Sequence, residues 1–582
     1  MKLRTKLICT IPGAAVLNLL SPAISIAQSS AQIARSDQGV VVAAQPLAAA
    51  AGARMLELGG NAADAAVATA FAISVVEPSM NSIGGRNQIL IRTSDGRIAG
   101  IDGTTTVPEG YDPNRAPNAR HGYATIGVPG SVAGLMRLHS EYGSLPLEVV
   151  MAPAIDYARN GFRLLPGEAQ RQAGSRTQIA EFEGTRRYYL KADGSSYAAG
   201  DLLVQKDMSH VLEAIAHGGR DAFYKGDISD KIAADMDANG GFITQEALDA
   251  YTAMDSRIVH GTYRGFELVG SGIPASGSIA IAALQIAENF DRDSMSDEAW
   301  ATVIGQSIAS AFTAYDRPDS DSAAVRVTSK KWARQMARSI RVPEISDSRE
   351  PASRASTPGQ NQTRAMISNG NSSYGSWLPS DQGHTTHLSV ADRNDMAIAV
   401  TQTIGPSMGS KVATPGLGFL YAVTLGGYLG LSEPGERARS GITPFMVLQE
   451  GEPVLVLGAA GGLRIISAVV QTVTRVIDDG LSLPEALAAP RIHPEMSRQQ
   501  GVFPEEFSGA LSVEVGEDHG WASTSLEKFE ALGIKISPTP TRGAFGRIHG
   551  LQFDRATGTW TGAADPAWEG AAVTPRVSNR EN

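Results

Sequence analysis

His384-Thr385-Thr386-His387-Leu388-Ser389 stands at the border between two very different kinds of sequence. Upstream, from about Arg341, the chain is rich in Ser, Pro, Asn and Gln and shows no period, as a loop or linker does. Downstream, Thr386–Ala391 and Ala397–Ile404 alternate with a period of two around the polar turn Asp392-Arg393-Asn394-Asp395-Met396, the pattern of a hairpin. Centring the turn on Asn394 sets Ala391 against Ala397 and, followed outward, Thr385 against Thr403. Opposed residues in such a pair have Cβ atoms about 5 Å apart, within reach of a hydroxyl–hydroxyl hydrogen bond. A threonine hydroxyl is a poor nucleophile without a neighbouring base, and cutting the chain before it supplies one, the new α-amine. On residue type alone, the Thr-Thr pair is equally two β-branched residues opening a strand. Thr385 is therefore a candidate nucleophile, Thr403 its partner, and His384–Thr385 the candidate cleavage bond. The loose segment 341–384 is expected to move off the site once cut.

A second chemical element lies further on. Gly458-Ala459-Ala460-Gly461-Gly462 precedes a run in which Ile465, Ile466, Val469, Val470, Val473, Val476 and Ile477 recur at helical spacing. Gly461 and Gly462 then sit at a helix N-terminus, where free N–H groups and the positive dipole end favour an anion or a developing oxyanion. A bare structural turn is the alternative. A P-loop is disfavoured, since no Lys-Ser/Thr adjoins the glycines.

The rest of the chain supplies a scaffold. Pro46 opens a helix through Leu58 that stops at Gly59-Gly60, and Asn61 caps another through about Val75. A strand over Gln88–Arg92 leads into a turn at Ser94-Asp95-Gly96, and amphipathic helices span Ser131–Tyr142 and Pro146–Asn160. Gly240-Gly241-Phe242-Ile243-Thr244 reads as a turn into the next element, Tyr263–Val269 as one strand, and Ser482 with Glu485 as a capping box.

Composition narrows the function. A net charge of -10 over 582 residues, with no basic block, argues against nucleic acid or an anionic membrane as partner. Lys2, Arg4 and Lys6, the apolar run Leu7–Leu20 and the small-x-small site Ser25-Ile26-Ala27 predict a signal peptide over 1–27. A membrane anchor is the alternative, but Pro12, Gly13 and Asn18 break the run. Export to the periplasm or the medium follows, with no membrane attachment after signal removal. The single cysteine, Cys9, falls inside that signal, which removes disulfides, thiol nucleophiles and thiolate metal sites from the mature chain. No cofactor and no metal are expected.

Six blocks, in order, resemble those of the γ-glutamyltranspeptidase family of N-terminal-nucleophile hydrolases. They are Leu58-Gly59-Gly60-Asn61-Ala62-Ala63-Asp64-Ala65-Ala66-Val67, Gly127-Val128-Pro129-Gly130-Ser131, Asn239 to Thr244, Thr385-Thr386-His387-Leu388-Ser389-Val390, Gly461-Gly462-Leu463-Arg464-Ile465-Ile466 and Ala564-Asp565-Pro566. The resemblance implies an α+β fold, a four-layer αββα sandwich. It implies one precursor split into a large subunit, 28–384, and a small catalytic subunit, 385–582, which together build the sandwich as a heterodimer. It further implies that Thr385 attacks, its freed amine acts as base, Thr403 orients it, and Gly461 and Gly462 form the oxyanion hole. The substrate would be a small amide or a γ-glutamyl-like compound.

The departures from the family pattern cluster in glutamate recognition. Where the family has Asp-x-Arg-Glu this chain has Asp102-Gly103-Thr104-Thr105, so the carboxylate-gripping Arg becomes Thr104. The Asn at the substrate amino end falls at Gly405, and the Gln and Asp of the ammonium site fall at Thr424 and Gly427. Of the paired serines, Ser440 is kept and the other is Gly441. The segment Gly427–Ser440 is short, which suits a more open cleft. Ser440 stays a candidate substrate contact, and Arg86 and Arg439 are candidate replacement anchors, with solvated surface arginines as the alternative for each. Two further readings stand beside γ-glutamyl transfer: an acylase with another acyl donor, similar to the β-lactam acylases, and an exported binding protein without catalysis.

Overall fold

The computed structural model describes residues 32–115, 118–314, 326–341, 384–429, 433–497, 506–516, 519–540 and 543–576. The expected signal peptide and residues 342–383 of the loose segment lie outside these. Ala31–Asn582 form one compact unit.

Two antiparallel sheets lie at its centre. One has seven strands in the order Ala571–Val573, Gly39–Ala43, Thr386–Asp392, Ala397–Thr403, Arg86–Arg92, Ile98–Gly103 and Met254–Asp255. The other runs Ile33–Ser36, Thr559–Ala564, Arg547–Asp554, Glu452–Leu457, Phe445–Gln449, Phe266–Ser271 and Ile258–Tyr263, with Ala459–Ala460 added onto Arg547–Asp554.

Side-chain alternation explains why both faces are covered. Val41, Ala43, Leu388, Val390, Ile89, Ile91, Ile398 and Val400 of the first sheet pack in one core with the helices Pro46–Glu57, Ala62–Val76 and Leu147–Asn160. Their neighbours Val40, Val42, Leu90, Ala391, Ala397 and Ala399 share a second core with Val269, Met446, Val456 and Leu551 of the other sheet. A third core joins the second sheet to the helices Gly277–Ala287, Asp297–Ala314 and Arg464–Ile477. Period-two alternation with both faces apolar is what a sheet buried on two sides demands. The result is the expected α+β sandwich: helices, sheet, sheet, helices.

Local signals act as expected at most helix ends. Asn61 Oδ1 accepts from Ala63 N and Asp64 N at 2.9 and 3.1 Å, and Asp64 returns a bond to Asn61 N at 2.9 Å. Asp64 also accepts from Ser144 N and Leu145 N, so this block is a structural clasp between two helices. Thr244 caps Gln245–Ala250, and Glu485 binds Ser482 N at 2.9 Å. One expectation is corrected. Tyr263–Val269 is not a single strand but the inner half of a hairpin, Ile258–Tyr263 and Phe266–Ser271, turning at Arg264 (φ 51) and Gly265 (φ 88). A tight turn with two left-handed residues matches strand twist, but an arginine rarely announces one.

Candidate active site

The hairpin Thr386–Asp392/Ala397–Thr403 has the register read from its turn: Ala391 pairs with Ala397 and Thr386 with Gln402. One step further, Thr385 Oγ lies 3.4 Å from Thr403 Oγ. Both hydroxyls converge on the bond before Thr385. Thr385 Oγ donates to the His384 carbonyl at 2.8 Å, and Thr403 Oγ donates to the same oxygen at 2.5 Å. Thr403 Oγ in turn accepts from Gly405 N at 2.9 Å, which fixes its rotamer. The carbonyl oxygen thus accepts from both hydroxyls.

The next strand completes a row. Arg86 is the direct cross-strand partner of Thr403, so Thr385, Thr403 and Arg86 follow one another across three strands on the face between the sheets. All three line one cleft with His384, Tyr428, Leu429, Ser440, Gly441, Ile442, Gly462, Leu463 and Ile465. It encloses about 550 Å³ of space, part of it open to solvent.

The glycine pair stands across this cleft. The helix Arg464–Ile477 follows it, with Gly461 at φ 151 and Gly462 at φ 59. Gly462 lines the cleft; Gly461, its neighbour in the chain, is not among the lining residues. Neither N–H has a protein acceptor among the described residues. Close packing holds the pair in place: a Cβ at Gly461 would lie 2.8 Å from Gly546 Cα, and one at Gly441 would lie 2.5 Å from Gly462 O. Arg464 Nη1 binds Ala544 O at 2.7 Å, tying the loop that carries Gly546 to the start of the helix. Asp565 of the last block pairs with buried Arg491 at 2.8 Å and accepts from Ile548 N at 3.1 Å. These motif residues brace the loops around the cleft without lining it.

The departures are now visible as geometry. Thr104 is buried and engaged by Asp102 and by Gln88 Nε2 (2.9 Å), outside the cleft lining. Asp102 instead meets Arg437 at 3.3 Å. Thr424 Oγ is bonded to Thr105 Oγ at 2.9 Å, and Gly427 N to Ala119 O at 3.1 Å. A Cβ at Gly405 would come within 3.3 Å of the Tyr428 ring, so that ring occupies the room an asparagine would need.

The two candidate anchors separate. Arg439 is outside the lining residues, with its side chain 38% exposed and paired with Glu436 at 3.8 Å, which fits the surface reading. Arg86 is not a surface residue at all: it is 2% exposed. Ser440 lines the cleft, with its carbonyl held by Ser276 Oγ at 2.7 Å. Tyr428, Leu429, Ile442, Leu463 and Ile465 were not anticipated. The shortness of the segment after Gly427 was the one available signal in the sequence.

The gamma-glutamyltranspeptidase family model matches residues 48–574. The chain belongs to the γ-glutamyltranspeptidase family. Its family relatives include the glutathione hydrolase proenzyme of Escherichia coli (strain K12), 31% identical over 568 residues and covered over 91% of each chain. They also include the Acylase ACY 1 proenzyme of Pseudomonas sp. (strain V22), 31% identical over 558 residues, covering 91% of this chain and 92% of that one. In fold it is similar to cephalosporin acylase from Bacillus halodurans, with a TM-score of 0.79 at 24% identity over 96% of this chain and 100% of the other. As a γ-glutamyltranspeptidase-family member it is an enzyme, a self-processing hydrolase of the N-terminal-nucleophile class. Among the described residues no helix is long and apolar enough to cross a membrane, and no cluster suited to a metal ion occurs.

Proposed function

We propose that the protein is an exported amidohydrolase or acyltransferase whose nucleophile is Thr385, freed by cleavage of the His384–Thr385 bond. The observation that carries this reading is the pair of hydroxyls on one carbonyl: Thr385 Oγ and Thr403 Oγ at 2.8 and 2.5 Å from His384 O. In the precursor, Thr385 Oγ adds to the His384 carbonyl carbon while Thr403 donates to its oxygen. Collapse breaks the C–N bond and leaves an ester on Thr385 with a free α-amine. Water then hydrolyses the ester and releases a chain ending at His384. The two chains remain together as a heterodimer, since Thr386–Asp392 pairs with Gly39–Ala43 and Ala397–Thr403 with Arg86–Arg92.

In turnover the α-amine takes the hydroxyl proton, Oγ attacks the substrate amide, and the amine returns the proton to the departing nitrogen. The N–H groups of Gly461 and Gly462 receive the oxyanion, each such donor being worth about 3–4 kcal/mol in the transition state. Water or a second amine resolves the acyl-enzyme. The acyl donor is better read as acylase-type than γ-glutamyl, because Thr104, Gly405, Thr424 and Gly427 place no charged group in the cleft. Export through residues 1–27 puts the enzyme in the periplasm or the medium.

N-terminal sequencing of the purified protein tests the reading. Two fragments are expected, one beginning Thr-Thr-His-Leu, and Thr385→Ala is expected to stay a single chain. A single unprocessed band from the unaltered chain would instead support a non-catalytic binding protein.

A further inference from the structure

The charge content of the cleft is one-sided. Among its described lining residues Arg86 is the one permanent cation, and no Asp or Glu lines it. Arg86 is 2% exposed, and a guanidinium stays protonated under any condition that leaves the fold intact. Its Nη1 donates to Val423 O at 3.0 Å, while Nε has no partner. No carboxylate lies within ion-pair distance of it among the described residues, and burial pushes its pKa below the usual arginine value. The one opposing influence is the neighbouring Tyr428 phenol, which raises it. A buried cation without a counter-ion is expensive to keep. Two other buried arginines of this protein do have one: Arg491 has Asp565 at 2.8 Å and Arg92 has Glu452 at 3.0 Å.

The scaffold holds Arg86 where it is. Gly85 O accepts from both Gly130 N and Ser131 N, at 2.9 and 3.0 Å, which pins the turn before it. The direct pairing with Thr403 puts its side chain on the nucleophile's face, two strand spacings or about 10 Å from Thr385 between Cα atoms. A guanidinium fork matches a carboxylate in two parallel hydrogen bonds.

We propose that Arg86 binds the distal carboxylate of the acyl group, and that the preferred donors are monoamides of short dicarboxylic acids lacking an α-amino group. The inference rests on Thr385 as nucleophile. An ω-carboxyl acyl chain lays its anion on Arg86 and its methylenes against Leu429, Ile442 and Ile465. A γ-glutamyl group would bring the same carboxylate together with an ammonium, for which the described lining offers no anion. That ammonium would lose its hydration and face a guanidinium, so selectivity comes from repulsion as well as attraction.

The test uses the purified, processed enzyme and anilides that share one leaving group: succinyl, glutaryl and adipyl for the acid series, butyryl and pentanoyl as neutral matches, and γ-glutamyl as the zwitterion. At least one acid anilide is expected to exceed its neutral match, and the γ-glutamyl anilide, by tenfold or more in kcat/KM. In Arg86→Met the acid-to-neutral ratio is expected to collapse towards one, and in Arg86→Lys to fall only part of the way. Appearance of the Thr385 N-terminus reports that each variant has folded and matured. Equal turnover of acid and neutral anilides, a preference for γ-glutamyl, or an unchanged ratio in a matured Arg86→Met would each overturn the assignment. Hydrolysis of none of the anilides by fully processed protein would instead count against the amidohydrolase reading itself.

Discussion

The two walls of the cleft are made of different materials. The wall proposed to be catalytic is backbone and strand register: Thr385 and Thr403 meet because a hairpin pairs in one way, and Gly461 and Gly462 precede a helix. The wall proposed to recognise the acyl group is side chains: Thr104 turned away into hydrogen bonds, Gly405 vacant under Tyr428, and Arg86 with no carboxylate partner among the described residues. A backbone-built wall leaves little room for substitution, because moving it costs the fold. A side-chain wall can be exchanged residue by residue at small cost to stability. On the proposed reading, this difference lets one scaffold keep its chemistry while its acyl group changes.

Substitutions can break this comparison or sharpen it. Thr385→Ala has the largest expected effect: no cleavage on a denaturing gel and loss of anilide hydrolysis by at least about 10³-fold, since nucleophile and base disappear together. Gly461→Ala comes next, because its Cβ would lie 2.8 Å from Gly546 Cα and must displace the proposed oxyanion donors. A shift of that order lowers kcat roughly 10²-fold, with KM changing far less. Thr403→Val keeps the shape but removes the hydroxyl bonded to His384 O; slower appearance of the Thr385 N-terminus and a smaller loss of kcat are expected. Thr104→Arg probes the other wall. If restoring the family's Arg there produced γ-glutamyl hydrolysis, the recognition wall would be the family's own with one residue missing. The expectation is no gain and a lower Tm, because Thr104 is buried among Asp102 and Gln88.

The smallest effect concerns pH. Glu77 is buried beside Trp568 Nε1 (3.2 Å) and Arg171 (3.6 Å), and desolvation pushes its carboxyl up to about 7 despite the arginine. The folded state therefore holds this proton more tightly than the unfolded chain does. Its contribution to stability is fully present below about pH 4.5 and is lost as the pH rises through about 7. Melting curves at pH 5 and pH 8 should show a Tm drop of a few degrees that Glu77→Gln flattens. A variant with the same slope as the unaltered protein would assign the drop to other groups.

Several features were legible before any coordinates. The polar turn around Asn394 set the hairpin register because the side-chain period of a strand is two, so one anchored pair determines the rest. Asn61 capped its helix, and the glycine pair began another, because these signals act within a few residues. Arg86 and Arg439 could not be told apart by such reasoning. What separates them is that Arg86 pairs with Thr403, 317 positions away, and is covered by Val423 and Tyr428, whereas Arg439 finds Glu436 at the surface. Thr104 gave no sign that Asp102 and Gln88 would claim its hydroxyl.

Local chemistry in the chain thus determined the hairpin that brings Thr385 to Thr403 and the glycine turn before the helix, since caps, turns and alternation depend on neighbours in sequence. Which cation enters the cleft, and which polar residues are withdrawn from it, only the tertiary structure decided. Burial and charge pairing are properties of space, and the groups that settle them come from strands and loops hundreds of residues apart.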